Sequence, residues 1–423
     1  MQLGGDTYGA QGPVEAAALC KTVDAALPPA CDTGRVGVAV SGGSDSLATL
    51  LLLAQSRQVA AVTVDHGLRP EAAQEASFVS ALCARHAIPH EVLQWDGPAP
   101  TGNLMDQARR ARLRLIAGWA KQNGIGHVAL GHTLDDQAET FLMRLARRAG
   151  PEGLSGMRQR FEFDAVMFHR PVLAHARSDL RAYLAAQGQV WVDDPSNDNR
   201  AYDRVKARHA MQALGPMGLD AAAISHVIGH IKQSEAALNG ILAQFVTDHV
   251  ETPLGDVVIA QSGFSRLDHE LRRRMMNAAL CWVSGAEYVP RAAKVEGLLS
   301  VLTQPGVRTV HGCHIASNDT EIRITRELRP VAQMQTAYEP GAVWDRWQVD
   351  GPALPHATIR ALGADGLLQC PEWRQAQIPR VSLLASPSVW CGAQLIFAPL
   401  AGVNTGWNTT LVQVSLLSSL FRR

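Results

Sequence analysis

Between residues 35 and 150, short β-branched runs alternate with helix-length segments, and this narrows the fold more than any other feature of the chain. RVGVAV (35–40) leads through a Gly-Ser turn into LATLLLLAQS (47–56), and QVAAVTVD (58–65) precedes EAAQEASFVSALCARHA (71–87). HEVLQW (90–95) precedes NLMDQARRARLRLIAGWAKQNG (103–124), and HVALG (127–131) precedes DDQAETFLMRLARRAG (135–150). Strands that are apolar throughout are buried on both faces, as parallel strands covered by crossover helices are. The expected class is α/β, with a doubly wound parallel sheet.

At 423 residues the chain is long enough for roughly two or three domains. Residues 1–34 read as an N-terminal leader with one amphipathic helix over 14–27. Residues 35–215 read as the α/β catalytic domain. Residues 216–330 read as a helical accessory domain, with helices at 220–249, 268–285 and 291–304 and a hairpin over 308–327 turning at Ser317-Asn318-Asp319. Residues 331–423, rich in Pro, Gly and short apolar runs, read as a small, mostly β C-terminal accessory domain.

The chemistry concentrates at strand ends. After the first strand comes SGGSDS (41–46). Gly42 and Gly43 allow close backbone approach to a ligand, Ser41, Ser44 and Ser46 offer hydroxyls, and the following helix contributes its positive end. This is an anion cradle suited to phosphate. Asp45 within it would repel an anion unless a cation bridges the two, which points to Mg2+. No G-x-x-x-x-G-K-[ST] and no G-x-G-x-x-G follow a strand, so Walker-type and dinucleotide-binding readings are disfavoured. SGGxDS instead resembles the loop of the N-type ATP pyrophosphatases, which cleave ATP between its α and β phosphates.

The second strand ends in VDHGLRPEA (64–72), with Asp65, His66 and Arg69. The fourth ends in GHTLDDQAET (131–140), where His132, Asp135, Asp136 and Glu139 could hold Mg2+ or an incoming ammonium group. Arg109 and Arg112 share one face of the helix over 103–124 and are candidates for phosphate. So are Arg204 and Arg208, and Arg272/Arg273/Arg274 form a second basic patch. Residues 101–215 carry 17 Lys+Arg against 12 Asp+Glu, while the whole chain balances at 39 against 39. Binding nucleic acid by bulk charge is thereby excluded, but binding by a local basic face is not.

With 47% apolar and 18% charged residues the chain is a core-forming globular protein. Its apolar runs, such as Leu50 to Ala54, fall far short of the roughly 20 residues that cross a bilayer. The N-terminus lacks the basic flank and apolar run of a secretory signal. Seven cysteines without CxxC spacing suit a reducing cytoplasm.

The ordered blocks SGGSDS, VDHGLRPEA, ARRAR, GHTLDDQAETFLMRLARRAGPEGLSGM, HRPVL and WVDDPSNDNRAYDRVKAR, spread over about residues 35–208, resemble the tRNA(Ile)-lysidine synthetase family. The resemblance implies ATP-dependent adenylation of the wobble cytidine of an isoleucine tRNA with a CAU anticodon, followed by attack of free L-lysine on carbon 2. It implies ATP bound by Ser41 to Ser46, with Mg2+ on Asp45. His132, Asp135, Asp136 and Glu139 are then catalytic or lysine-binding, with His132 a candidate base. The tRNA would meet Arg109, Arg112, Arg204 and Arg208. No membrane is implied, and a homodimer is left open. Thr133, Val205, Ala207 and Leu113 depart from residues common in the family. The rival readings are a tRNA thiolation enzyme of the same superfamily and a non-catalytic RNA-binding relative. Thiolation needs reactive or cluster-binding cysteines, and Cys83 stands alone in residues 35–215.

Overall fold

The computed structural model describes residues 3–4, 16–65, 71–95, 104–193, 203–403 and 406–421. The chain separates into two units, Met1–Glu235 and Ala236–Arg423.

The first unit is built on a six-stranded sheet: β1 (Val36–Ala39), β2 (Val59–Asp65), β3 (His90–Gln94), β4 (His127–Leu130), β5 (Arg160–Phe163) and β6 (Val166–His169), in the order β3-β2-β1-β4-β6-β5. All pairs are parallel except β5 with β6. Its helices are α1 (Ala16–Ala25), α2 (Ser44–Ala54), α3 (Glu71–Arg85), α4 (Leu104–Gln122), α5 (Leu134–Ala146), α6 (Arg177–Ala186), α7 (Asp203–Leu214) and α8 (Ala221–His249), the last crossing the boundary between units.

Both faces of the sheet are covered. On one, α1, α2, α3 and α6 bury Leu19, Val23, Leu50, Leu52, Val79, Leu82, Leu180 and Leu184 against Val36, Val38 and Ala61. On the other, Ile116, Ala117, Trp119 and Ala120 of α4 pack on Val62, Val128, Leu130 and Phe168. Leu47 to Leu53 of α2 are apolar except at Thr49, and all are buried, because α2 lies between sheet and neighbouring helices. Helix α1, which the sequence reading set apart as a leader, places Leu19 and Val23 in this core. Its short stripe looks like a free amphipathic helix until a partner surface on α2 is known.

The strand order fixes the site. The chain steps from β1 outward to β2 and β3, then returns to lay β4 on the other side of β1. Parallel sheets open a crevice at such a reversal, beyond the C-terminal strand ends. The residues after β1 and β4 are those that the sequence singles out.

In the second unit, helices His269–Ser284, Ala292–Leu299 and Leu416–Phe421 share a core with a five-stranded antiparallel sheet. The expected hairpin is here a three-stranded meander, Gly306–Val310, Cys313–Ser317 and Glu321–Arg326. Its extra turn, His311-Gly312, has positive φ at both residues (56° and 71°), as two-residue hairpin turns require. His-Gly in place of Asn-Gly hides that turn from a sequence reading. Strands Val257–Ala260 and Val250–Glu251 complete the sheet and are too short to show a period of two. The 216–330 segment is thus mixed α/β rather than helical alone. A separate core gathers residues 331–407 around two small antiparallel sheets of four and three strands.

Candidate active site

Val40 to Gly43 form the turn from β1 into α2. Gly42 has φ +87°, which disfavours any residue with a Cβ, and its carbonyl accepts from the Val192 N–H at 3.0 Å. Ser46 Oγ accepts from the Ser41 N–H (3.2 Å) and donates to the Gly43 carbonyl (3.0 Å), so this buried hydroxyl shapes the turn. Ser44 Oγ donates to Asp45 Oδ1 at 2.9 Å. Ser41 is the exposed serine. The α2 N-cap, Gly43, supplies no side-chain acceptor, which leaves the first amides of the helix free of one. Gly131, at the tip of β4, lies so close to the loop that a Cβ there would sit 2.8 Å from Ser46 Cα and 2.9 Å from the Asp45 carbonyl. The two strand ends are therefore in direct contact.

Thr133 opens α5 with a capping box. Its Oγ1 accepts from the Asp136 N–H, and Asp136 Oδ2 accepts from the Thr133 N–H at 2.8 Å. The hydroxyl at this departure from the family pattern thus serves as a helix cap. Val205, Ala207 and Leu113 are buried apolar positions, so those departures fill core.

A cavity of about 940 Å3 joins these elements. Ser41, Gly43, Ser44, Asp45 and Ser46 line it together with His132, Asp135, Asp136, Glu139, Arg112, Arg204 and Arg208. Gly42 and Arg109 do not line it; Arg109 is exposed on α4. His66 and Arg69 lie outside the described residues.

Arginines that the sequence reading did not single out organise the cavity. Arg177, the first residue of α6, donates from Nε to Asp45 Oδ2 (2.9 Å) and from Nη2 to Asp136 Oδ1 (3.2 Å), and its Nη1 lies 3.6 Å from Glu139 Oε1. Its backbone N–H donates to Asp135 Oδ2 at 2.7 Å. One turn on, Arg181 Nε reaches Ser44 Oγ (3.4 Å) and its Nη2 donates to Asp193 (3.0 Å). Burial works against the Arg177 charge, but Asp45 and Asp136 overcome it and hold its pKa above the ordinary value. Burial raises the Asp45 carboxyl although Arg177 opposes this. Asp136 is also buried, yet the Arg204 and Arg177 guanidiniums bring its carboxyl below the usual value.

Arg204 and Arg208, expected on tRNA phosphates, are partly exposed and pair with carboxylates of the cavity. Arg204 Nε lies 3.1 Å from Glu139 Oε2, its Nη2 lies 3.7 Å from Asp136, and Arg208 Nε donates to Glu139 Oε1 at 3.0 Å. Likewise Arg273 and Arg274 both pair with Glu270, Arg274 is only 3% exposed, and Arg272 donates to the Ser265 carbonyl, so the trio is not an open phosphate patch.

His132 also differs from expectation. Its Nδ1 accepts from Arg170 Nε at 3.1 Å, which leaves the neutral ring's proton on Nε2. Burial and the Arg170 charge push its pKa down to about 3. In this geometry the neutral His132 ring presents its Nε2–H as a donor. Among the described residues Arg112 shows no carboxylate partner, and burial lowers its pKa, with Arg109 and Arg204 as like-charged neighbours. It lines the cavity as a cation that can take up an anion.

A family profile described as a PP-loop domain matches residues 17–214, so the first unit defines the chain as a PP-loop, ATP-using protein. The tRNA(Ile)-lysidine synthase of Ruegeria pomeroyi is 44% identical over 383 residues, covering 89% of this chain and 91% of that protein. The protein of the same name from Hyphomonas neptunium is 36% identical over 322 residues, covering 72% and 85%. This chain belongs to the tRNA(Ile)-lysidine synthase family. Among solved structures, the U34-tRNA thiolase NcsA of Methanococcus maripaludis aligns over 51% of this chain and 80% of its own, with a TM-score of 0.42 and 15% identity.

Proposed function

We infer that this chain is a carbon–nitrogen ligase that joins free L-lysine to carbon 2 of the wobble cytidine in an isoleucine tRNA with a CAU anticodon, converting ATP to AMP and pyrophosphate. The observation that carries this reading is the single cavity in which the SGGSDS loop meets the acidic face of α5, in a chain of this family.

Amide-like resonance makes the C2 carbonyl of cytosine a poor electrophile. Transfer of AMP to its oxygen creates a leaving group. The lysine amine then forms the new C–N bond as the C–O bond to AMP breaks. The free amides of α2 and the hydroxyl of Ser41 face the phosphates. Asp135 and Asp136 are the carboxylates that meet the lysine ammonium, while Arg112 and Arg109 meet phosphate of the nucleotide or the anticodon loop. An anticodon base is already unpaired, so placing it in the cavity costs little.

Mg2+ suits this site when it arrives with ATP. Among the described residues no three carboxylates, His or Cys form a metal cage, but Mg2+ on phosphates needs only one or two carboxylates. Asp45, in the loop, and Asp136, on α5, line the same cavity, and the raised pKa of Asp45 marks a carboxylate that one guanidinium does not fully compensate. Bound there, Mg2+ would supply charge stabilisation for departing pyrophosphate.

The thiolation reading loses support. Cys83 is buried, with its thiol pushed up to about 11, and among the described residues no cysteine lines the cavity. No helix among the described residues is long and apolar enough to cross a membrane. ATP, lysine and tRNA meet in the cytoplasm, where we expect the protein to act. The reading is tested by AMP release from purified protein: AMP should form with ATP, lysine and the CAU isoleucine tRNA together. Equal release when a methionine tRNA replaces it would overturn the assigned substrate.

Two further results are expected. The pH profile of kcat should show no inflection that belongs to His132, because its ring stays neutral down to about 3. An inflection between pH 6 and 7 that disappears in His132→Gln would restore it as the base. Because its folded pKa lies below the unfolded value of about 6.5, the unfolded chain takes up the proton first. Its contribution to stability is therefore present above about pH 6.5 and shrinks as the pH falls toward 3, which urea midpoints at pH 7.5 and 5.5 would show. Arg109→Ala should flatten the dependence of log K for tRNA on log salt by about one unit of slope. Arg208→Ala should leave that slope unchanged, since its guanidinium is engaged by Glu139.

A further inference from the structure

We propose that Arg177 is a positioning residue that ties the ATP loop to the carboxylate helix, so that nucleotide and amino-acid binding are coupled through its guanidinium. The proposal rests on the reaction assigned above.

Arg177 stands where a cation is least expected. It is the first residue of α6, beside the positive end of the helix dipole, and its side chain is only 18% exposed. The position is tolerated because carboxylates surround it. Asp135 caps its backbone N–H from α5, and the three guanidinium nitrogens divide among Asp45, Asp136 and Glu139. Asp45 belongs to the loop after β1, and the two others belong to the helix after β4. Among the described residues Arg177 is the side chain that ion-pairs with both elements.

This geometry has a direction. Nucleotide phosphates next to Asp45 add negative charge on the loop side of Arg177. They draw its guanidinium toward the loop and relieve Asp136 of part of its cation. An ammonium group arriving at Asp136 repels Arg177 toward the same side. Each ligand therefore prepares the site for the other, and linkage makes the effect reciprocal. Arg204 and Arg208 do not duplicate this role, because among the described residues their ion pairs are with α5. Lysine at position 177 would keep the charge but lose the planar fork that serves several carboxylates at once.

The test uses the full-length protein and a non-hydrolysable ATP analogue with Mg2+. Its affinity is measured with and without saturating lysine in the parent, Arg177→Met and Arg177→Lys, alongside thermal melting. In the parent, lysine should tighten analogue binding by about fivefold or more. Arg177→Met should reduce that ratio to within about twofold, and Arg177→Lys should recover part of it. Parental coupling in a folded Arg177→Met protein overturns the proposal, and so does a parent without coupling. If Arg177→Met does not fold, Arg177→Lys decides: an undiminished ratio overturns the proposal and a reduced one supports it. Lysidine formation by the same parental preparation is scored separately. Its absence overturns the assigned reaction, whereas its presence with unchanged coupling in the variants overturns only the role of Arg177.

Discussion

Asp45→Asn is expected to cut the rate of AMP formation by about 10²–10³-fold while leaving the fold intact. The carboxylate sits within the phosphate loop, and the substitution removes its charge but not its shape. Stability should hold for two reasons. Arg177 keeps Asp136 and Glu139 as partners. Burial also raises the Asp45 pKa, so the favourable, protonated form dominates only at low pH, and that contribution is lost as the pH rises through the folded value. At neutral pH the ionised carboxylate is a cost to the fold that the amide does not carry. Turnover assays together with thermal melting check this. A folded variant with undiminished AMP formation would remove Asp45 from the chemistry.

Glu139→Ala should act in the opposite way, on stability first. Glu139 is 2% exposed and its carboxylate meets Arg177, Arg204 and Arg208. Removing one member of a buried ionic cluster typically costs about 3–5 kcal/mol, because the remaining charges stay desolvated. Arg204 and Arg208 are 45% and 31% exposed and can partly rehydrate, so the lower end, about 3 kcal/mol, is expected. For a unit of this size that lowers the melting temperature by about 6–12 °C. Calorimetry of the full chain decides. An unchanged melting temperature with a raised KM for lysine would instead make Glu139 a direct lysine ligand, as its place in the sequence first indicates.

The sequence exposes the loop and the acidic helix because their signals are local. SGGSDS breaks an apolar strand pattern with residues that only a close-approach turn requires. His132, Asp135, Asp136 and Glu139 fall within two helical turns. Doubly wound topology then brings β1 and β4 together, and with them both motifs. What stays hidden is pairing at a distance. Arg177 and Arg181 lie 132 and 137 positions from their partners in the loop, and nothing in HARSDLR says which way they face. The available signal was their spacing of four at a helix start, where cations oppose the dipole. Arg204 and Arg208 read as phosphate ligands because the sequence does not show that Glu139 is buried beneath them. The role of α1 was hidden for a similar reason, since Leu19 and Val23 mean little without the surface of α2.

Lysine transfer to a wobble base in this cavity is tested most directly by mass analysis of nucleosides from a CAU isoleucine tRNA incubated with the protein, ATP, Mg2+ and lysine. The wobble cytidine should gain the mass of one lysine less one water, and the change should require both ATP and lysine. An unmodified cytidine accompanied by steady AMP release, or a mass gain without added lysine, would contradict it.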